Sequence, residues 1–433
     1  MGFFKKPANF ESLKTRLKGG NFRQISENFL SLSSVQVLGY IFPLIILPYL
    51  VRTIGAEKYG LTETAVSFLG VFMMLTSYGF PYSASRQIAI ARDDKVKVTE
   101  IFSSVLLLRI IFCLIGLVVL VVLTQTVSKF NEEKLLYLLS FGAVIGDVLF
   151  PIWLFQGLEQ MRYISLLNLS ARIVILVLTF WFVRTPQDYI LVPLVNSIGL
   201  IFIGVISIII IHKKLDIRFK LPSKLHLKFQ LREGWSTFIS GIAINLYTQP
   251  RVFIFSLFAS EQLVGFYSIA QKTAGIFQVF PLTTLLNSAL PRLNNIYSTN
   301  KRRSIELLLT MQKYSNYYSL ITLPICFIFA PEIIHLISHQ FIPESTTTLR
   351  ILFFSVTIVN LNIFRVHYFI ISGNYSLFSK LHTVASFFGL ILMITLTGFF
   401  LHIGIAISSV VLELGVLITT YLLTRTYFIK DLA

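Results

Sequence analysis

The sequence predicts an all-α polytopic membrane protein with about twelve transmembrane helices, arranged as two six-helix bundles around a central cavity. Hydrophobic residues occupy 55% of the 433 positions and charged residues only 13%, whereas a soluble protein carries about 25% charged residues. Long apolar runs recur along the chain, and the longest polar loop lies near its middle. These three observations together favour two membrane-embedded halves of similar size.

The apolar runs are long enough to cross a bilayer, because a transmembrane helix needs roughly 20 mostly apolar residues. We predict spans near residues 28–51, 61–79, 101–123, 135–157, 164–183, 189–211, 235–258, 266–290, 315–334, 348–371, 381–401 and 403–424. The first 27 residues are polar and basic, which indicates a leader on the cytoplasmic side and not a signal peptide.

The distribution of Lys and Arg predicts the orientation of these spans. With the N-terminus in the cytoplasm, 26 of the 37 basic residues fall in cytoplasmic segments and 5 in the opposite loops. Basic residues concentrate in cytoplasmic loops, so both termini are predicted to be cytoplasmic. The formal net charge of +17 is therefore mainly a signal of topology, and we do not expect a nucleic-acid partner.

The longest polar loop divides the chain into six spans and six spans. We predict a basic leader (1–27), a first six-helix bundle (28–211), a basic cytoplasmic linker (212–234), a second six-helix bundle (235–424) and a cytoplasmic tail (425–433). Two six-helix repeats related by an axis along the membrane normal are a transporter architecture, in which the substrate cavity lies between the halves.

The first predicted span is weakened by Pro43 and Pro48. Proline removes a helical hydrogen bond, and in a bilayer the freed carbonyls must be satisfied by protein or by water in a cavity. We therefore expect the first helix to line a cavity.

Among the charged residues inside predicted spans we single out eight, because a charge there costs at least about 2.5–3.5 kcal/mol. The basic ones are Arg109, Arg172, Arg251, Lys272, Arg350 and Arg365, and the acidic ones are Asp147 and Glu413. Six cations against two acids predict a positive interior that attracts an anionic substrate, most naturally a phosphate. The alternative for each cation is snorkelling to the membrane interface, which we favour for Arg350.

The depth of each cation within its span indicates which cations belong to the predicted anion-binding site. Arg251 and Lys272 lie seven and six residues from the outer ends of their spans, about 9–11 Å inside. The adjacent cations would repel each other unless an anion binds. For Asp147 and Glu413 two interpretations stay open: they neutralise the arginines, or they are the protonatable groups of an ion-coupled transporter.

Several short segments resemble the Wzx-type O-antigen flippases, which are polysaccharide transporters of the multidrug/oligosaccharidyl-lipid/polysaccharide exporter (MOP) superfamily. The similar segments are Tyr40–Gly60 (YIFPLIILPYLVRTIGAEKYG), Tyr78–Phe80 (YGF), Ser83–Arg86 (SASR), Trp153–Glu159 (WLFQGLE), Asn245–Tyr247 (NLY) and Gly265–Lys272 (GFYSIAQK). The resemblance covers nearly the whole chain.

The resemblance implies a MATE-like inner-membrane protein that moves undecaprenyl-diphosphate-linked oligosaccharide to the periplasmic leaflet by alternating access. It implies coupling to a H⁺ or Na⁺ gradient, no other cofactor, contact with membrane lipids, and a polysaccharide polymerase and a chain-length regulator as partners. We assign Lys272, Arg251 and Arg365 to the diphosphate or an acidic sugar and Arg86 to the cytoplasmic entrance. Lys272 and Arg86 stand within the similar segments, whereas the role of Arg251 rests only on its depth in the span. The resemblance also implies that Asp147 and Glu413 carry the coupling ion.

Two other functions would also suit a polytopic membrane protein. A multidrug or organic-cation exporter of the same superfamily would need an acidic cavity, whereas the embedded charges are mostly basic. A membrane polysaccharide polymerase or ligase would need a catalytic constellation, and the sequence contains no H-E-x-x-H, no Gly-x-Ser-x-Gly and no Cys/His metal spacing. The sequence thus favours a transporter over an enzyme and predicts no metal site.

Overall fold

The computed structural model describes residues 20–245, 249–279 and 282–432, which form helices and no strand. The N-terminal half contains α1 (Gly20–Ser77), α2 (Phe80–Ala91), α3 (Lys95–Thr126), α4 (Ser128–Glu132), α5 (Lys134–Ser140), α6 (Gly142–Leu149), α7 (Ile152–Gly157), α8 (Met161–Phe182) and α9 (Leu191–Lys213). The C-terminal half contains α10 (Lys224–Asn245), α11 (Arg251–Ser256), α12 (Glu261–Val279), α13 (Leu282–Thr299), α14 (Lys301–Ile328), α15 (Ala330–Ser338), α16 (Pro343–Asn360), α17 (Ile363–Ile371) and α18 (Tyr375–Leu432).

Helices overlap each of the twelve predicted spans. Seven stretches of the described residues are long and apolar enough to cross a membrane, or eight if α14 and α15, bent by 64°, form one span. Two of the seven, Phe42–Ala91 and Ser376–Phe428, have 50 and 53 residues, which is enough for two crossings each. The predicted class, an all-α polytopic membrane protein, is confirmed.

The breaks between spans are shorter than we predicted. The polar turn expected at residues 52–60 is instead helical on both sides of Gly55, whose φ of 79° interrupts α1. Glycine adopts positive φ readily, so one residue suffices to separate the two arms of this helix. The last two spans are likewise the arms of α18, which is interrupted at Leu401.

The linker prediction also differs from the observed helices. α10 begins at Lys224, eleven residues before the predicted span, because Leu227 and Leu231 pack against a buried cluster of the N-terminal half that includes Phe80 and Ile88. Of the predicted leader, residues 1–19 lie outside the described part of the chain.

The two halves approach closely at what we call the Gly60–Gly265 contact. A Cβ added to Gly265 would lie 1.8 Å from the Ala56 carbonyl oxygen, and one added to Gly60 would lie 2.1 Å from the Glu261 carbonyl oxygen. No side chain fits at such distances, so the second arm of α1 and α12 can touch only through glycine.

Next to this contact, a charged side chain links the halves. Lys129 of α4 donates a hydrogen bond to the Ser256 carbonyl at the end of α11. Burial lowers the pKa of the Lys129 ammonium, and the Glu261 carboxylate partly offsets this effect. The link adds a polar bond to the glycine packing at this end of the interface.

The halves meet again at what we call the Gly79–Thr237 contact, between α2 and α10. The Thr237 hydroxyl donates to the Gly79 carbonyl at 3.3 Å, and a Cβ on Gly79 would lie 2.4 Å from that hydroxyl oxygen. The side chains of Gln87 and Gln230 exchange two hydrogen bonds of 3.1 and 2.8 Å. Gly60 and Gly79 are about 28 Å apart along the helix, close to the thickness of a bilayer core.

We expect Gly265→Ala to lower the thermal stability of the purified protein, because its methyl group would push α12 away from α1. Overpacking typically costs about 1–3 kcal/mol. The measurement is the unfolding temperature in detergent. Gly415→Ala is the control, since a Cβ at Gly415 meets nothing within 4 Å, and it should leave the unfolding temperature unchanged or higher. Equal unfolding temperatures for both variants would contradict the close approach.

Candidate functional site

A cavity of about 570 Å³ lies between the halves, and both contribute to its walls. Its polar lining residues are Glu63, Ser67, Gln249, Arg251, Gln271, Lys272, Gln278 and Ser355. Pro43 of the first span also lines it, as the sequence predicted for that helix. We call this space the central cavity.

An ion pair in the central cavity joins the two halves. Lys272 Nζ of α12 lies 3.1 Å from Glu63 Oε1 of α1, and the Glu63 side chain is only 13% exposed. Lys272 is more open, at 44%, so its ammonium both pairs with Glu63 and faces the cavity. An anion entering the cavity would meet a cation that already has a partner.

Glu63 is a site residue that sequence reasoning missed. It lies two residues inside the predicted second span (61–79) and was not counted among the embedded acids. A carboxylate within a predicted span was the signal that should have found it. The interior is therefore less positive than the count of six cations against two acids predicted.

Arg251 enters the central cavity at a break between α10 and α11. Ser67 holds this break against α1: its hydroxyl donates to the Gln249 carbonyl at 2.8 Å and accepts from the Phe253 N–H at 3.2 Å. Pro250 precedes α11 and has no N–H to donate. Irregular backbone at membrane depth is tolerated where it lines a cavity, as the position of Arg251 illustrates.

Arg251 also interacts electrostatically with Glu413 in the second arm of α18. The structure thus brings together Arg251, Lys272, Glu63 and Glu413 from four different spans. Each of the two cavity cations has an acidic neighbour, so an anionic ligand would have to compete with carboxylates for both.

Arg172 lines a side cavity of about 340 Å³ next to the central one. The two cavities share Pro43, Glu63, Val66 and Lys272. Arg172 comes from α8, and Asn196 of α9 lines the same space. Glu63 therefore lies at the junction of two cavities that contain three cationic side chains.

Arg109 and Asp147 form a half-buried ion pair away from the central cavity. Arg109 is 4% exposed, its Nη2 lies 2.5 Å from Asp147 Oδ2, and its Nε donates to the Thr76 carbonyl at 3.3 Å. The pair connects α3, α6 and α1 within the N-terminal half. Asp147 also lines a third cavity of about 270 Å³, next to the Gly79–Thr237 contact.

The other predicted cations lie elsewhere. Arg86 is exposed and 3.6 Å from Glu233, where it joins α2 to α10. Arg365 stacks on the Tyr421 ring at 4.6 Å from the ring centre. Arg350 Nε donates to the Phe327 carbonyl at 3.1 Å. None of the three lines the central cavity.

No cluster of three His, Cys, Asp or Glu side chains that could hold a metal ion occurs in the described ranges 20–245, 249–279 and 282–432.

A polytopic helical fold with a polar cavity between two halves defines a class of protein, the membrane transporters that are built from two helix bundles.

Comparison with known proteins identifies the family. A model of the family described as "Polysaccharide biosynthesis protein" matches residues 25–297, and the chain belongs to this family. The chain is 28% identical over 399 residues to the "Putative O-antigen transporter" of Escherichia coli (strain K12), covering 91% of this chain and 95% of that protein. The family resemblance expected from the sequence is confirmed.

Solved structures show the same fold. The lipid II flippase MurJ in an inward closed conformation matches with a TM-score of 0.74 at 14% identity, covering 92% of this chain and 88% of that one. An inward-facing MATE family multidrug transporter of the MOP superfamily matches with a TM-score of 0.66 at 16% identity, covering 89% and 98%. The MATE-like fold predicted for this chain is thereby confirmed.

Proposed function

We propose that this protein is an inner-membrane flippase for an undecaprenyl-diphosphate-linked oligosaccharide, such as an O-antigen repeat unit. The observation that carries the proposal is the central cavity, in which Arg251 and Lys272 lie together between the two halves. The name of the Escherichia coli relative supports a polysaccharide substrate, and the fold shared with MurJ is compatible with a lipid-linked one.

The side chains of the central cavity suit both the diphosphate and the sugars of such a substrate. Lys and Arg are the usual partners of phosphate oxygens, so the diphosphate would lie between Lys272 and Arg251. The side-chain amides of Gln249, Gln271 and Gln278 both donate and accept hydrogen bonds, as sugar hydroxyls require. A cavity that binds organic cations would instead be lined by acidic side chains and would lack this excess of hydrogen-bond donors.

Substrate binding would disturb the Lys272–Glu63 ion pair. A diphosphate at Lys272 would compete with the Glu63 carboxylate, which would then lose its partner. In this proposal Glu63 joins Glu413 and Asp147 as a candidate for coupling to a H⁺ or Na⁺ gradient. Because Glu63 and Lys272 belong to different halves, releasing the pair also loosens the interface.

Alternating access would then use the two contacts between the halves. Opening the Gly60–Gly265 contact exposes the cavity on one side of the membrane, and opening the Gly79–Thr237 contact exposes it on the other. With both termini in the cytoplasm, the Gly79–Thr237 contact faces the cytoplasm and Arg86 lies beside the entrance. A polymerase and a chain-length regulator would act on the delivered unit in the periplasm.

Deletion of the gene tests this proposal. We expect undecaprenyl-diphosphate repeat units to accumulate on the cytoplasmic side and surface polymer to disappear, because no other step delivers the units. The measurement is extraction and analysis of lipid-linked sugars from each leaflet, with a plasmid copy of the gene as control. Units that reach the periplasm but remain unpolymerised would instead indicate a polymerase, and unchanged lipid-linked sugars would exclude the proposed substrate.

A further inference from the structure

The first turns of α10 have two faces of different character. The inner face, formed by Leu227, Gln230 and Leu231, lies against the N-terminal half: the two leucines pack near its core, and Gln230 bonds to Gln87. These positions follow the spacing of one helix face. The inner face is therefore fully used by contacts within the protein.

The outer face of the same turns carries large apolar side chains without a covering element in the described residues. Leu225 is 75% exposed and Phe229 50% exposed, and Leu221, just before the helix, is 83% exposed. Leu225 and Phe229 lie one helical turn apart and so share a face. This face precedes the predicted span, so contact with the hydrocarbon core alone does not account for it.

Basic residues alternate with these apolar side chains. Lys224, Lys228 and Arg232 recur every four residues, and all three are exposed. No ion pair involving them occurs among the described residues. Trp235, which is also exposed, follows one turn later and has the amphipathic ring typical of a membrane interface. Apolar anchors next to unpaired cations are the pattern of a surface that contacts anionic lipid.

We propose that the outer face of the first turns of α10, together with Leu221 just before the helix, binds anionic phospholipid headgroups of the cytoplasmic leaflet. Leu225 and Phe229 would enter the boundary between headgroups and acyl chains, while Lys224, Lys228 and Arg232 contact the phosphates. Charge complementarity favours an anionic lipid surface over a neutral one. Since the inner face of the same turns bonds to α2, bound lipid would support the Gly79–Thr237 contact.

A spin label tests the proposal without depending on transport. The label is attached at Leu225→Cys in full-length protein lacking its two buried native cysteines and reconstituted in nanodiscs. Nanodiscs of phosphatidylcholine alone are compared with nanodiscs that also contain phosphatidylglycerol. The measurement is accessibility to a water-soluble paramagnetic quencher relative to oxygen, with Ser298→Cys, an exposed position at the end of α13, as the aqueous reference.

We expect the label at position 225 to be shielded from the aqueous quencher, and more strongly when phosphatidylglycerol is present. The triple variant Lys224→Gln/Lys228→Gln/Arg232→Gln should lose the increase caused by phosphatidylglycerol. The matched control Lys301→Gln/Arg302→Gln/Arg303→Gln removes the same number of charges from another basic segment and should retain it.

Three results would overturn the proposal. In the first, the label at position 225 is as accessible to water as the one at position 298 in both kinds of nanodisc. In the second, shielding is equal in both lipids and unaffected by the triple variant, which would mean apolar burial without recognition of anionic lipid. In the third, shielding appears only in native membranes and not in nanodiscs, which would indicate a protein partner.

Discussion

Replacing Lys272 by Ala should reduce surface polysaccharide by about tenfold or more while the protein remains in the membrane. A hydrogen bond to a charged group contributes about 1.5–3 kcal/mol, and about 1.4 kcal/mol corresponds to a factor of ten in affinity. Lys272 faces the central cavity beside Arg251, so both Arg251→Ala and the double variant should show the same direction of change. The measurement is surface polymer per cell, normalised to protein in the membrane by immunoblot.

Arg350→Ala is the matched control for these variants. Arg350 also lies within a predicted span, but its guanidinium bonds to the Phe327 carbonyl and does not line the central cavity. It should leave surface polymer close to normal. Normal surface polymer from Arg251→Ala, Lys272→Ala and the double variant would refute the assignment of the central cavity to an anionic substrate. A severe loss of polymer in Arg350→Ala would show that the depth of a cation in its span does not distinguish substrate-binding residues from the others.

Asp147→Asn should destabilise the protein by roughly 3 kcal/mol, because it leaves the Arg109 guanidinium buried without a counter-charge. Breaking a buried ion pair typically costs 3–5 kcal/mol, and the lower end applies here since Asp147 is partly open to a cavity. The measurement is the unfolding temperature of the purified protein, compared with Asp93→Asn, which removes an exposed carboxylate and should have little effect.

The double variant Arg109→Met/Asp147→Leu separates the two interpretations of Asp147. Apolar residues of similar volume can replace a buried pair with little loss of stability, so this variant should fold. If Asp147 only neutralises Arg109, the variant should still transport. If Asp147 carries the coupling ion, the variant should be stable but inactive. A normal unfolding temperature for Asp147→Asn alone would contradict the role of the pair as a structural brace.

Much of the fold was predictable because the bilayer restricts what a chain can do. Every backbone polar group must be bonded within the span, so an apolar run of sufficient length becomes a helix. The prolines of the first span similarly predicted a cavity-lining helix, and Pro43 does line the central cavity. These conclusions need only the residues themselves and the thickness of the membrane.

The candidate site was less predictable, because it depends on which spans are neighbours. Position along the chain suggested that Arg251 and Lys272 belong together, and they line one cavity. It did not reveal that Glu63, more than two hundred residues earlier, lies 3.1 Å from Lys272. It also grouped Arg109 and Arg365 with the cavity cations, whereas Arg109 pairs with Asp147 and Arg365 stacks on Tyr421.

The sequence by itself determined the class of protein, the approximate positions of the helices that overlap the predicted spans and the presence of charge at membrane depth. Those properties follow from local composition, since the free energy of placing a residue in a bilayer depends mainly on that residue and its depth. Only the tertiary structure decided which charges neutralise each other and which face the cavity. An ion pair depends on a distance of a few ångströms between different spans, and that distance is set by helix packing.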